Sequence, residues 1–453
     1  MRYFTNTIKI IALICGLLFL TFVIINWGDE ELKPEVLQTL DWKAPANALE
    51  DNGHLILLGI EAPIEMDVAQ VGKKALQAEL ARYDVMQKTH KDPPPVELNP
   101  AEIDDYIDWK DNRCDYTKQA NCVDFYLQQE ADKLNLALLT QKRLAARFEA
   151  IKQSKNYVEV MLPLVTSQLP KYSLLTQASE MERIQAILGI SEAKLGQGVT
   201  KFAENAAFSR RLLHESNSLI SHMIALSLIQ SDTRVLSELM TKYPKIATKY
   251  AAQLMPILAS ISTPEYNLKK TFDYEKNWGL AIVGNTNNQI ENEAMASELS
   301  YLQLLFNNVV YQPNATLNLL YDWAQHRIKL TEVSAADLDS AKQDLKRNQQ
   351  SLLGLGFHPF YIKNTAGKIL ASVAEPDFSA YIERQHDLDG YIHMVNFQLT
   401  AILNKLEIKK LDLHDPYKKL MQYDANSGVL TFAGRQPSSG NFNKSNIYQV
   451  KMQ

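Results

Sequence analysis

Ile10-Ile11-Ala12-Leu13-Ile14-Cys15-Gly16-Leu17-Leu18-Phe19-Leu20-Thr21-Phe22-Val23-Ile24-Ile25-Asn26-Trp27-Gly28 carries no charge, and as far as Ile25 only Gly16 and Thr21 interrupt its apolar side chains. As a helix these nineteen residues, at about 1.5 Å each, reach roughly 28 Å, close to the hydrocarbon thickness of a bilayer. A surface helix of a globular fold would show a polar face within that length, and this one shows none. Trp27 stands at the far end, where an indole favours the interface, and Lys9 can snorkel from the near end.

The flanks set the expected direction. Arg2, Lys9 and the terminal amine precede the span; Asp29, Glu30 and Glu31 follow it. Positive residues stay on the cytoplasmic side, so the reading is N-in and C-out: residues 1–9 a cytoplasmic tail, residues 10–28 a single-pass anchor in the bilayer, the bulk periplasmic on an inner membrane. A cleaved signal peptide would end in small residues in an A-x-A-like arrangement, whereas the span ends Ile25-Asn26-Trp27-Gly28. Cys15 does not suit a lipoprotein, because it lies in mid-span behind Leu13-Ile14. So short a tail leaves no cytoplasmic output domain. The span holds no charge to mark a proton path and only Ala12-x-x-x-Gly16 as a helix-packing motif.

Outward from the anchor, composition is that of an ordinary globular chain. Its 453 residues are 46% hydrophobic and 22% charged, enough for two or three cores and too apolar for a disordered segment. The net charge of −5 has no basic concentration, which argues against a nucleic-acid partner. Beyond Cys15 in the span, Cys114 and Cys122 form an even pair in an oxidising compartment, so a local disulfide is the leading reading. Two free thiols or a metal site are the alternatives, and His90, the nearest histidine in sequence, offers no recognisable metal spacing.

Punctuation by Pro and Gly divides the remainder. Residues 29–100 read as a polar stem and first helices, with 46–60 either helix or buried strand, 68–88 helical, and Asp92-Pro93-Pro94-Pro95 opening a linker. Residues 101–261 form a helical domain in which 200–230 is the clearest single helix. Residues 262–290, with Pro264, Gly279, Gly284 and Asn285-Thr286-Asn287-Asn288, read as a long loop or boundary. Residues 291–415 are a second helical region. In 416–453, two short apolar runs flank Asp424-Ala425-Asn426-Ser427-Gly428, a β-hairpin signal, and 447–452 offers a third strand. No repeat period emerges. The expected fold is mostly α: a transmembrane helix, irregular multi-helix domains and a small C-terminal β-hairpin.

Chemical motifs fail one by one. Ser191-Glu192-Ala193-Lys194 fits S-x-x-K, but no Lys-Thr-Gly strand accompanies it. Gln385 to Gly390 fails as a calcium loop because Asn396 would stand at the bidentate position. Glu383 and His386 are one E-x-x-H where a di-metal bundle needs two, and a solvated helix face is the better reading. Arg210, His214, Ser218 and His222 recur every four residues, so on one helix they make a polar stripe: a candidate groove, or simply the wet side of an amphipathic helix. No pattern calls for a cofactor or a metal.

The anchor, Leu57-Leu58-Gly59, the Cys114/Cys122 pair, Asn364-Thr365-Ala366-Gly367-Lys368, Glu375-Pro376-Asp377-Phe378 and Asp415-Pro416-Tyr417 together resemble an uncharacterised family of single-span, mostly helical periplasmic proteins of Gram-negative bacteria. That resemblance implies compartment and architecture, not activity. Two function classes stay open. One is a non-enzymatic interaction or scaffold protein that meets a membrane or cell-envelope protein. The other is an envelope enzyme acting on wall or lipid material with dispersed residues.

Overall fold

The structure is a computed structural model that describes residues 2–89, 93–94, 113–115, 118–129, 131–164, 166–167, 169–191, 194–261, 265, 268–296, 309–353, 362–374, 378–406, 412–436 and 446–452. Most of the linker from Asp92 to Pro100, the Glu192-Ala193 pair and Glu375 to Asp377 lie outside them. Helices dominate: α1 (Arg2–Ile25), α2 (Pro34–Leu40), α3 (Gly53–Leu58), α4 (Val68–Thr89), α5 (Cys122–Gln128), α6 (Ala131–Thr140), α7 (Lys142–Gln153) and α8 (Tyr172–Ser191). They continue with α9 (Leu195–Glu215), α10 (Leu219–Lys242), α11 (Lys245–Leu254), α12 (Leu268–Ala296), α13 (Pro313–Ile328), α14 (Leu338–Leu353), α15 (Thr365–Ala374) and α16 (Ser379–Asn404). A three-stranded antiparallel sheet closes the chain, in the order β1 (Gln422–Asp424), β2 (Val429–Ala433), β3 (Ile447–Lys451). The hairpin expected around Asp424–Gly428 is therefore present, with Gly428 at φ +66° and its N–H returned to the Asp424 carbonyl.

The main core gathers α8, α9 and α10 with α16 and the inner face of the sheet. It takes residues from Ile56 to Ile261 and again from Leu388 to Met452, so distant stretches share one interior. The ambiguous segment after residue 46 resolves as the short buried helix α3, started by Asn52, whose side chain accepts the His54 N–H at 3.0 Å. α3 meets α4 backbone to backbone. A Cβ on Gly72 would stand 1.8 Å from the Leu55 carbonyl oxygen, and one on Gly59 2.1 Å from that of Val68.

Two expectations are corrected. Residues 262–290 are not a long loop, since α12 runs unbroken from Leu268 to Ala296. Gly284 sits inside that helix because the Leu40 side chain of α2 fills the space a Cβ would take. Residues 200–230 are not one helix. The chain breaks at Ser216-Asn217-Ser218, where α9 ends and Ser218 caps α10 by accepting the Ser221 N–H at 3.2 Å.

α1 is the one described helix long and apolar enough to cross a membrane; its apolar side chains are exposed along most of its length. Its last turn is different. Phe22, Val23 and Ile25 are half-buried and Asn26 is buried. The Asn26 side chain donates to the Ile362 carbonyl (3.2 Å) and accepts the Asn364 N–H (2.8 Å). Gln312 donates to the carbonyls of Asn26 and Gly28, both at 3.0 Å. The Asp29 carboxylate accepts the Asn314 and Ala315 N–H groups (2.7 and 3.0 Å), capping the positive end of α13. Glu30 pairs with Lys363 at 2.9 Å, and Asn318 brackets the chain through Glu31 and Lys33. Val36 of α2 is then sealed among Leu280, Leu317, Trp323 and Ala371. The segment read as a polar stem is a fitted collar.

Candidate functional site

Asn156 to Leu164, outside any helix, follows α7 and delivers Glu159, fully buried, to the start of α10. One carboxylate oxygen accepts the N–H groups of Asn217 (3.2 Å) and Ser218 (2.8 Å). The other accepts the hydroxyls of Ser218 (2.5 Å), Ser221 (2.8 Å) and Tyr172 (2.8 Å). The next α10 donor, the Leu219 N–H, goes to Glu275 at 2.7 Å, and burial raises that carboxyl above the usual range. Two carboxylates thus satisfy the positive end of a 24-residue helix. His54 lies beside the node, edge-on to Tyr157, and burial lowers its imidazole against the pull of Glu159.

In front of this node lie two adjoining clefts. The larger, about 630 Å³, is lined by Trp42, Lys43, Lys269, Asp273, Tyr274 and Trp278 together with Asn217 and Lys270. The smaller, about 340 Å³, adds Tyr157, His214 and Glu215, and shares Pro45, Asn217 and Lys270 with the first. α12 supplies one wall of the larger cleft. It is held there by Trp278, whose indole donates to the Leu162 carbonyl at 2.7 Å, and by Tyr274, whose hydroxyl accepts the Met161 N–H at 2.7 Å. Burial lowers Lys270 below the usual lysine range. Aromatic rings, amides and ammonium groups around an open cleft suit binding of a polar ligand or a partner's side chains. Every lone-pair direction of Glu159 is engaged, so that carboxylate holds the wall and does not face the cleft as a base.

The four residues of the expected stripe part company. Arg210 clamps the turn after α11, pairing with Glu265 (2.9 Å) and donating to the carbonyls of Ile257, Ala259 and Ser260. His214 is exposed and lines the smaller cleft. Ser218 is buried in the Glu159 node. His222 is buried against α16, its Nε2 3.2 Å from the Gln385 side-chain oxygen, and burial lowers it to about 4. The break at Ser216-Asn217-Ser218 turns the two halves of the stripe apart, so they form no single groove.

The Glu383–His386 face of α16 is likewise not solvated. Glu383, His386 and Asp387 are buried because the segment after Asp415-Pro416 folds across them. Asp387 accepts the Tyr417 hydroxyl at 2.6 Å and the N–H groups of Arg435 and Gln436 at 2.9 Å. Glu383 pairs with Lys342 at 2.9 Å, and the Arg435 guanidinium lies 4.1 Å from the Tyr417 ring centre. Gln385 to Gly390 is continuous helix, with Gly390 pressed on Pro416. Cys114 and Cys122 are bridged, with Cα atoms 5.7 Å apart, and both are buried in the main core. Tyr126 accepts the Cys114 N–H and donates to Glu180, while Glu238 accepts the N–H groups of Cys122 and Val123.

Reading the sequence missed the Glu159 node and the α12 wall. The signal for the first was three short polar residues between two periodic runs, a cap pattern. The signal for the second was the spacing of Leu268, Phe272 and Leu280. Among the described residues no three His, Cys, Asp or Glu side chains group to hold a metal ion. Comparison of the chain with family models, with curated proteins and with solved structures finds no match.

Proposed function

We propose that this chain is a single-pass, N-in/C-out protein of the inner membrane whose periplasmic helical domain is an interaction or scaffold module of the cell envelope. The observation that carries the reading is the collar. A flexible tether would only raise the local concentration of the domain near membrane partners. Here Asn26, Asp29, Glu30 and Glu31 are each bonded into α13 or the residues that lead into α15, which supports a domain held with one face toward the bilayer. Such a domain presents its clefts at a set height and angle, and a modest interface then suffices because the orientational cost of docking is already met.

Crosslinking in cells tests this, using the full chain with its own α1 and with an unrelated span fused before Asn26. A defined envelope protein captured by both supports the scaffold. The rival reading, an envelope enzyme on wall or lipid material, draws on Lys270, a lysine lowered by burial at the junction of two clefts. Turnover of a wall or lipid substrate by the detergent-solubilised chain, lost in Lys270→Met, with no partner captured, replaces the scaffold reading with the enzyme.

A further inference from the structure

Outside α1 the exposed large apolar side chains stand singly or in small groups, Leu136 and Leu139 of α6 among them. One such pair lies on the helix that follows the residues bonded to the end of α1. α15 buries one side against α13: Asn364 just before it, then Gly367, where a Cβ would stand 2.0 Å from the Thr316 hydroxyl oxygen, and Ala371. On the other side Ile369 and Leu370 stand adjacent, 59% and 54% exposed, with Lys363 and Lys368 close by in sequence.

The start of α15 is tied to the end of α1 by the Asn364 N–H bond to the Asn26 side chain. At 1.5 Å per residue, Leu370 lies only about 9 Å along the helix from that junction. The headgroup region of a bilayer is of comparable thickness, about 5–8 Å on each side. Trp27, 71% exposed, stands next to Asn26 at that junction, and an indole favours the interface.

We infer that α15 is an interfacial helix that lays Ile369 and Leu370 into the headgroup–acyl boundary of the membrane that α1 crosses, a second contact of the domain with lipid. The inference rests on the reading of α1 as a membrane span. The occupant is the bilayer and not a partner protein, because the start of α15 is bonded to the end of α1, through Asn26 to Ile362 and Asn364. The ammonium groups of Lys363, which also pairs with Glu30, and Lys368 suit anionic headgroups. The two contacts together hold the domain in one attitude.

The full chain carrying Cys15→Ala has no free thiol, since Cys114 and Cys122 are bridged. A fluorescent thiol label is introduced through Leu17→Cys in the span, Leu370→Cys in α15, or Leu136→Cys on α6, a site of similar exposure. Each protein is reconstituted in phosphatidylcholine–phosphatidylglycerol vesicles with or without lipids brominated on the upper acyl carbons. The label at 17, inside the acyl region, and the label at 370, at its boundary, are expected to lose roughly half their fluorescence or more to the bromines, while the label at 136 keeps its own. Quenching at 17 with a label at 370 as bright as that at 136 overturns the interfacial helix and leaves the anchor standing. No quenching at 17 or 370 overturns the anchor reading, and the inference with it. A label at 136 quenched as strongly as the one at 370 also overturns the assignment to α15.

Discussion

Five donors converge on the Glu159 carboxylate, and their number explains why an acid is tolerated in a fully buried position. Glu159→Gln keeps the shape but turns an amide N–H₂ toward groups that can only donate or are already donating. It should cost about 3 kcal/mol of stability, seen as a lower urea midpoint by circular dichroism of the detergent-solubilised chain; an unchanged midpoint would mean the node does not hold α10. Histidine gives the pH counterpart. His222 and His386 are each lowered to about 4, chiefly by burial, with the charges of Lys270 and Arg435 respectively adding to the effect. Folding therefore favours the neutral rings, and the unfolded chain binds more protons between its own value near 6.5 and 4. Stability is full above about pH 6.5 and falls as the pH drops toward 4, by up to about 3 kcal/mol for each ring. Buried carboxyls such as Asp232 and Glu238, raised by desolvation, work in the opposite sense. The clean readout is thus the difference between wild type and His222→Gln, whose unfolding midpoint should drop less steeply from pH 6.5 to 4. At this scale the sequence was legible only where chemistry is local. Cys114 and Cys122 could be paired by compartment and count, but the burial of His222 depends on Gln385, which is far away in sequence.

Element by element, periodicity read well where a helix has one wet side and poorly where it has none. α4 and the hairpin at 422–433 emerged from spacing and turn residues. α12 did not, because Gly279, Gly284 and the Asn-rich run outweighed the spacing of Leu268, Phe272 and Leu280. The structure shows that Gly284 is a packing device for Leu40, not a break. The reverse error, fusing α9 to α10, arose because the apolar spacing continues across Ser216-Asn217-Ser218 and only cap chemistry marks the stop. The crossing of α3 on α4 makes a sharper statement. With backbone facing backbone at Gly72 and Gly59, neither side can yield as a flexible side chain would. Gly72→Ala should destabilise by about 1–3 kcal/mol or more, despite alanine's better helix propensity, whereas Gly279→Ala, with open space around it, should be neutral or mildly stabilising. Equal midpoints for the two variants would sink the close-approach argument. The disulfide acts at the same scale. Replacing Cys114 and Cys122 by Ala frees a short loop in the unfolded chain and should lower stability by about 2–3 kcal/mol, measured against the oxidised wild type in the same urea series.

For the molecule as a whole, the decisive quantity is the stiffness of the junction between α1 and the rest. The collar combines a buried amide, Asn26, with an acidic cap, Asp29, on the N-terminus of α13, so removing both should loosen the exit without touching the main core, which takes no residue before Ile56. Asp29→Ala alone withdraws one cap, worth about 1 kcal/mol, and should change little at the level of global unfolding. Adding Asn26→Ala removes the bonds to 362 and 364, and the junction loosens, held only by the remaining contacts of Gln312, Glu30 and Asn318. The measurable consequence is orientational. In oriented bilayers, a rigid spin label on α16, far in sequence from the junction, should report a narrow distribution of tilt for the wild type and a broad one for the double variant, with the same urea midpoint for both. If the distributions coincide, the domain is not set by its exit from the membrane, and fixed presentation loses its physical basis. If only the double variant broadens and envelope crosslinks fall with it, orientation itself is what the partner recognises, since the chain, its anchor and its concentration at the membrane are unchanged between the two.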